Sequence, residues 1–60
     1  MYIVRFIRRD KQPAELYYYP LKEDALYHLN MFQDDDSELY TRIDVIEDNE
    51  KETMIASIIF

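Results

Sequence analysis

A single segment of this 60-residue chain has helical periodicity, and the chain on either side of it reads as extended strand. In residues 21–33 apolar side chains recur at steps of three and four, which places them on one side of a helix with 3.6 residues per turn. Those side chains are Leu21, Ala25, Leu26, Leu29 and Phe32. One helix can cover only one face of a sheet, so this segment leaves the other face of the sheet uncovered.

Four segments alternate as strands and are rich in β-branched and aromatic side chains: 1–9, 14–19, 38–47 and 52–60. Polar turns containing Pro13 or Asn49 separate the strands of each hairpin, and Asn49 is the residue of the second turn best suited to a left-handed backbone. We therefore predict one α+β domain spanning residues 1–60, with the order ββαββ and a single helix packed on one face of a four-stranded mixed or antiparallel sheet. Because the first and last strands are the most apolar, we expect them to be adjacent, parallel and central, in the order 2-1-4-3.

Both faces of the predicted sheet are apolar. The alternation assigns to the helix-covered face Val4, Phe6, Leu16, Leu39, Ile43, Val45, Met54, Ala56 and Ile58. The second face is interrupted by only four polar residues, Arg5, Arg42, Asp44 and Ser57. A solvated face of an antiparallel sheet normally alternates to polar side chains, and monomers rarely expose an apolar patch larger than a few hundred Å².

We therefore predict a homodimer that buries the second face of the sheet. A chain of 60 residues has little core of its own, and burial of a second face would add to its stability. The predicted interface residues are Ile3, Arg5, Ile7, Tyr17, Tyr19, Tyr40, Arg42, Ile46, Ile55 and Ile59. Three alternatives remain open: these side chains are merely half-exposed, a bulge shifts the register, or another protein covers the face.

Charge is unevenly distributed along the chain. Residues 1–13 carry four basic side chains and one acid, a net charge of +3, whereas residues 34–52 carry nine acids and two basic side chains, a net charge of −7. The total of −6 argues against nucleic-acid binding, including base stacking on the tyrosines beside Arg5 and Arg42. The acidic half supports an alternative function, in which the protein imitates a nucleic acid and inhibits a partner by occupying its basic cleft.

No motif for catalysis, a cofactor or a metal stands out. The chain has no glycine, which excludes recognisable dinucleotide-binding and P-loop fingerprints and requires Asn or Asp in tight hairpin turns, or longer turns. His28 lies one helical turn after Asp24, but Ser37 and Ser57 have no nucleophile context. We predict that the protein is not an enzyme and has no cofactor.

An acidic segment after the helix has the spacing of the first calcium ligands of an EF-hand loop, at Asp34, Asp36 and Glu38. The glycine needed for the sharp turn is absent, and Val45 occupies the position of the bidentate glutamate. An acidic loop that ends the helix is therefore the favoured interpretation, and we predict no metal site.

The absence of cysteine fits a reducing compartment. The sequence opens directly on a strand pattern with no signal-peptide layout, and it has no apolar run of the roughly 20 residues that a membrane span needs. We expect a cytoplasmic protein without a membrane partner that acts through protein contacts. The pattern does not determine its molecular function.

Overall fold

The computed structural model describes residues 1–34 and 38–60, and it confirms the predicted α+β fold with the element order ββαββ. Each strand begins and ends within two residues of its predicted limits. The elements are β1 (Tyr2–Arg8), β2 (Glu15–Tyr19), α1 (Lys22–Asn30), β3 (Tyr40–Glu47) and β4 (Thr53–Ile59).

The helix α1 is shorter than its apolar stripe predicted. Leu21 is its extended N-cap, and Glu23 and Asp24 in the first turn complement the positive end of the helix dipole. After Asn30 the backbone tightens, and the N–H of Phe32 donates to the carbonyl of Leu29 at 3.1 Å. This turn keeps Phe32 packed against the core although the α-helix has ended. In the two described ranges, no helix has the length and apolar character needed to cross a membrane.

The predicted strand order 2-1-4-3 is wrong: the sheet is antiparallel throughout, in the order β2-β1-β3-β4. Apolar content placed β4 in the centre, yet β4 is an edge strand in which Met54 and Ile59 are 50% and 79% exposed. The central strand next to β1 is instead β3, whose Asp44 lies in register with Arg5 on β1 and Ser57 on β4. This order places a carboxylate between two strands that supply hydrogen-bond donors, which a ranking by apolar content does not take into account.

The core lies between α1 and one face of the sheet, which we call the helix face. Its fully or nearly fully buried apolar side chains are Val4, Phe6, Ala25, Leu29, Ile43 and Val45. Two register irregularities change which residues reach this face, one beside Ile7 and Arg8 and one beside Val45 and Ile46. A bulge adds one residue to a strand, and so side chains beyond it exchange faces.

The hairpin connections avoid tight turns, as the lack of glycine predicted. Six residues join β1 to β2, and five join β3 to β4. The left-handed residues are Lys11, with φ of 65°, and Glu52, with φ of 46°. Asn49, the expected left-handed residue, instead accepts the Lys51 N–H on its side-chain oxygen at 3.0 Å.

Replacement of Lys11 by glycine should stabilise the protein. A non-glycine residue in the left-handed region costs about 1–2 kcal/mol, and the extra chain entropy of glycine offsets about 0.5–1 kcal/mol of the gain. We expect Lys11→Gly to raise the free energy of unfolding by about 0.5–1 kcal/mol in urea titrations. The control is Lys51→Gly in the other turn, where φ is not positive and the same change should lower stability. Equal effects of the two changes would contradict this interpretation.

Candidate functional site: the open face of the sheet

The side of the sheet that faces away from α1, here called the open face, is organised in three rows across the strands. Antiparallel partners that lie directly opposite each other point to the same face, so the register defines the rows. The first row is Tyr18, Ile3, Ile46 and Met54; the second is Leu16, Arg5, Asp44 and Ser57; the third is Ile7, Arg42 and Ile59. Two mainly apolar rows therefore flank one polar row.

The open face brings together six of the ten predicted interface residues: Ile3, Arg5, Ile7, Arg42, Ile46 and Ile59. The other four lie elsewhere. Three of them, Tyr17, Tyr19 and Tyr40, lie on the helix face, where their partners on β1 are Val4, Tyr2 and Arg8, respectively. The fourth, Ile55, packs against the core cluster.

Local alternation could not decide the orientation of β2. Both sides of its sequence Glu-Leu-Tyr-Tyr-Tyr contain large side chains, and we expected Leu16 to be inside. The observed register instead turns Tyr17 and Tyr19 toward the ring of Phe6 and the helix. Alternation along the sequence therefore predicted Leu16 and Met54 on the helix face. In the structure both lie on the open face together with Tyr18.

The four polar residues that interrupt the open face form one hydrogen-bonded cluster. Its centre is the carboxylate of Asp44, which has no exposed surface. Arg5 donates to it from Nη2 at 2.9 Å and from Nε at 3.3 Å, and Ser57 donates from its hydroxyl at 2.9 Å. The Nε of Arg42 donates at 3.2 Å to Oδ2, the oxygen that Arg5 contacts, and lies 3.0 Å from Oδ1, the oxygen that Ser57 contacts. We call these four residues the Asp44 cluster.

Within the Asp44 cluster, the buried carboxylate at the middle of the open face is fully paired. A buried carboxylate is costly unless it is paired and hydrogen-bonded, and here both oxygens accept from charged or hydroxyl donors. The two guanidinium groups keep part of their surface, at 31% and 43% side-chain exposure for Arg5 and Arg42. The cluster therefore fixes the pairing of three strands and leaves a slightly basic centre.

A second ion-pair group lies at the rim of the helix face. Arg8 donates to Asp10 at 2.6 Å and to Glu15 at 2.7 Å. The hydrogen bond from Arg8 to Asp10 lowers the pKa of Asp10 to about 2. The pKa of Glu15 is also lowered, first by Arg8 and then by the hydroxyl of Tyr40 at 2.9 Å. Desolvation and the neighbouring Glu15 raise the pKa of Tyr40.

The two arginines of β1 should differ in their effect on stability. Arg5→Met removes hydrogen bonds to a fully buried charge, so we expect a loss of about 1.5–3 kcal/mol in the free energy of unfolding. Arg8→Met removes pairs with the partly exposed side chains of Asp10 and Glu15 and should cost less than Arg5→Met. Urea unfolding at low protein concentration measures both. Equal losses would mean that Asp44 does not depend on Arg5.

Large apolar side chains are exposed around the Asp44 cluster. Met54 and Ile59 on β4 are exposed, and the side chains of Leu16 and Tyr18 on β2 are 46% and 57% exposed. Between β2 and β3 the open face has a shallow depression of about 500 Å³. Its lining is Ile3, Arg5, Ala14, Leu16, Tyr18, Ile46, Asp48 and Glu52.

An aromatic cluster surrounds Phe6 on the helix face. The ring of Phe6 lies 4.9–5.4 Å from the rings of Tyr17, His28, Phe32 and Tyr40. Edge-to-face and tilted pairs at these distances stabilise a core beyond the area that they bury. Tyr17, Tyr19 and Tyr40 therefore belong to the packing under the helix.

His28 is a member of this packing. Its Nδ1 lies 2.8 Å from the hydroxyl of Tyr19. Asp24 and His28 line a shallow pocket with Tyr19, Tyr27 and Met31, and the last two are largely exposed on the helix. Burial lowers the pKa of His28. The pocket contains no serine or cysteine, and the prediction that the protein is not an enzyme stays a prediction.

In the acidic segment with calcium-like spacing, Asp36 lies outside the described residues. Within residues 1–34 and 38–60, no group of three or more histidine, cysteine or acidic side chains is placed to hold a metal ion.

Stability should fall when the pH drops below the ordinary pKa of histidine. Because burial lowers the pKa of His28 from 6.5 in the folded state, the unfolded chain takes up a proton first as the pH falls. The free energy of unfolding should therefore decrease from about pH 6.5 down to the folded pKa. Urea titrations between pH 8 and about 5.5 measure this slope above the range where the carboxylates titrate.

His28→Phe keeps a ring in the cluster and should flatten the slope. The control Tyr19→Phe removes the hydrogen bond but leaves the histidine to titrate, so its slope should persist. An unchanged slope in His28→Phe would assign the pH dependence to another group.

Comparisons of the chain with protein-family models, with curated protein sequences and with solved structures found no match.

Proposed function

We propose that this protein acts as a protein-interaction domain that forms a homodimer through the open face. The observation that supports this most directly is the exposure of large side chains in all three rows of the open face: Leu16, Tyr18, Met54 and Ile59. The helix layer covers the opposite face and cannot shield them. A second copy brings the same apolar rows, and an isologous interface buries both at once.

The size of the surface suits a dimer. The Cα positions extend over 30 × 22 × 14 Å, and the smallest dimension is that of one helix packed on one sheet. The broad side is therefore close in size to the roughly 800 Å² per partner that a standard interface buries. The Asp44 cluster supports this use, because its one carboxylate is already paired and does not need a partner to neutralise it.

Face-to-face contact is favoured over pairing of sheet edges. The edge strand β4 contains a bulge at the register shift beside Val45 and Ile46, and bulges twist an edge away from strand addition. The other edge, β2, lies between Pro13 and Pro20, which lack backbone donors.

Ile59→Asp tests the proposed dimer. Since the side chain is 79% exposed in the single chain, the fold should tolerate aspartate there, whereas a dimer would bury the new charge on both copies. In sedimentation experiments at micromolar concentration we expect the wild-type chain to be a dimer and Ile59→Asp to weaken it by at least about 100-fold.

The matched control is Tyr27→Asp, which places the same charge at a side chain that is 70% exposed on α1. It should leave the dimer intact. A monomeric wild-type chain would reject the proposal, and dissociation by Tyr27→Asp with an intact Ile59→Asp dimer would reject the open face in favour of the helix.

The acidic inhibitor is the second proposal. It would use the turn between β3 and β4, where Asp48, Glu50 and Glu52 are exposed. These carboxylates lie together at one end of the sheet and do not extend along its length as a phosphate backbone would. Inhibition of a nuclease with a basic cleft, relieved by neutralising these three residues, would favour this function over the dimer.

A further inference from the structure

The two ends of the open face carry opposite charge. At one end, the depression is lined by Asp48 and Glu52 next to Ile3 and Ile46. At the other end lies Arg42, in the row of Ile7 and Ile59. Arg42 and Ile46 are four residues apart on β3, which separates the basic row from the acidic end by roughly 13 Å or more.

We infer that the two copies stack with their strands antiparallel, about a two-fold axis that runs across the strands between the two sheets. This inference rests on the proposed dimer and specifies its geometry. A two-fold axis across the strands reverses the strand direction of one copy relative to the other. The acidic end of each copy then faces Arg42 of the partner subunit, and the interface has two symmetric contacts of opposite charge.

The alternative axis runs along the strands and places like ends together. Asp48 and Glu52 would then approach the same carboxylates of the second copy, and Arg42 would approach the same guanidinium group. Like charges that face each other across an interface disfavour that arrangement. In aligned packing, two sheets keep their strand directions within about 30° of each other, and these two axes are the choices for an aligned dimer.

Neither the apolar rows nor the central row selects the axis. In both arrangements each apolar row packs on an apolar row of the other copy. The carboxylate of Asp44 has no exposed surface and already accepts from Arg5, Arg42 and Ser57, so it is out of reach of a second copy. The charges at the ends of the face therefore decide the geometry.

The double variant Asp48→Asn/Glu52→Gln tests the axis with little change of shape. Both side chains are exposed in the turn after β3, and their backbone hydrogen bonds to Met1 and Asn49 do not involve the carboxylates. Removal of four carboxylates per dimer should weaken dimerisation by about tenfold at low salt and reduce its salt dependence. Sedimentation equilibrium at two salt concentrations measures both effects.

The control Glu23→Gln/Asp24→Asn removes the same charge from the first turn of α1, on the far layer of the molecule. Both variants lower the net negative charge equally, which by itself favours self-association. Only the turn variant should weaken the dimer.

A turn variant that dimerises more tightly than the helix control would indicate the axis along the strands and overturn the inference while the proposed dimer stands. Equal changes in the two variants, or none, would also overturn it. A monomeric wild-type chain would overturn the dimer itself.

Discussion

The carboxylate of Asp44 sits where three strands of the sheet meet, and the arrangement of the other elements depends on how it is satisfied. It is fully buried, so it requires donors from both sides. Arg5 from β1 and Ser57 from β4 supply them directly across the strands, and Arg42 adds a donor from β3 itself. With β3 between β1 and β4, both cross-strand donors reach the same carboxylate without rearrangement.

The two faces of the sheet differ in chemical character, and the Asp44 cluster lies on only one of them. On the helix face, the ring of Phe6 gathers the aromatic side chains of β2, β3 and the end of the helix. Ala25 has no exposed surface, and its small side chain lets the helix approach the sheet. On the open face, the cluster occupies the middle and the apolar side chains lie in rows above and below it. The first face is packed within the chain, and the second leaves large apolar side chains exposed.

This division gives the proposed dimer a physical basis beyond exposed area. A pure apolar face would allow many ways of stacking, because burial of apolar area is not directional. Here the polar middle row is already neutralised, and acidic and basic ends remain on either side of it. In the proposed dimer, the apolar rows would supply the driving force for association and the charged ends would restrict its geometry.

The sequence by itself determined the type and approximate limits of every element, because these follow from local periodicity and turn residues. It identified the stripe of α1, although the helix ends before Phe32, and it placed Ile3, Arg5, Ile7, Arg42, Ile46 and Ile59 on one surface. Only the tertiary structure decided the order of the strands and the faces of Tyr17, Tyr40 and Ile55. The order depends on the pairing of Asp44 with residues 39 and 13 positions away in the chain. The faces depend on register shifts and on ring packing against Phe6. Both are contacts between distant segments, and alternation within a single strand contains no information about them.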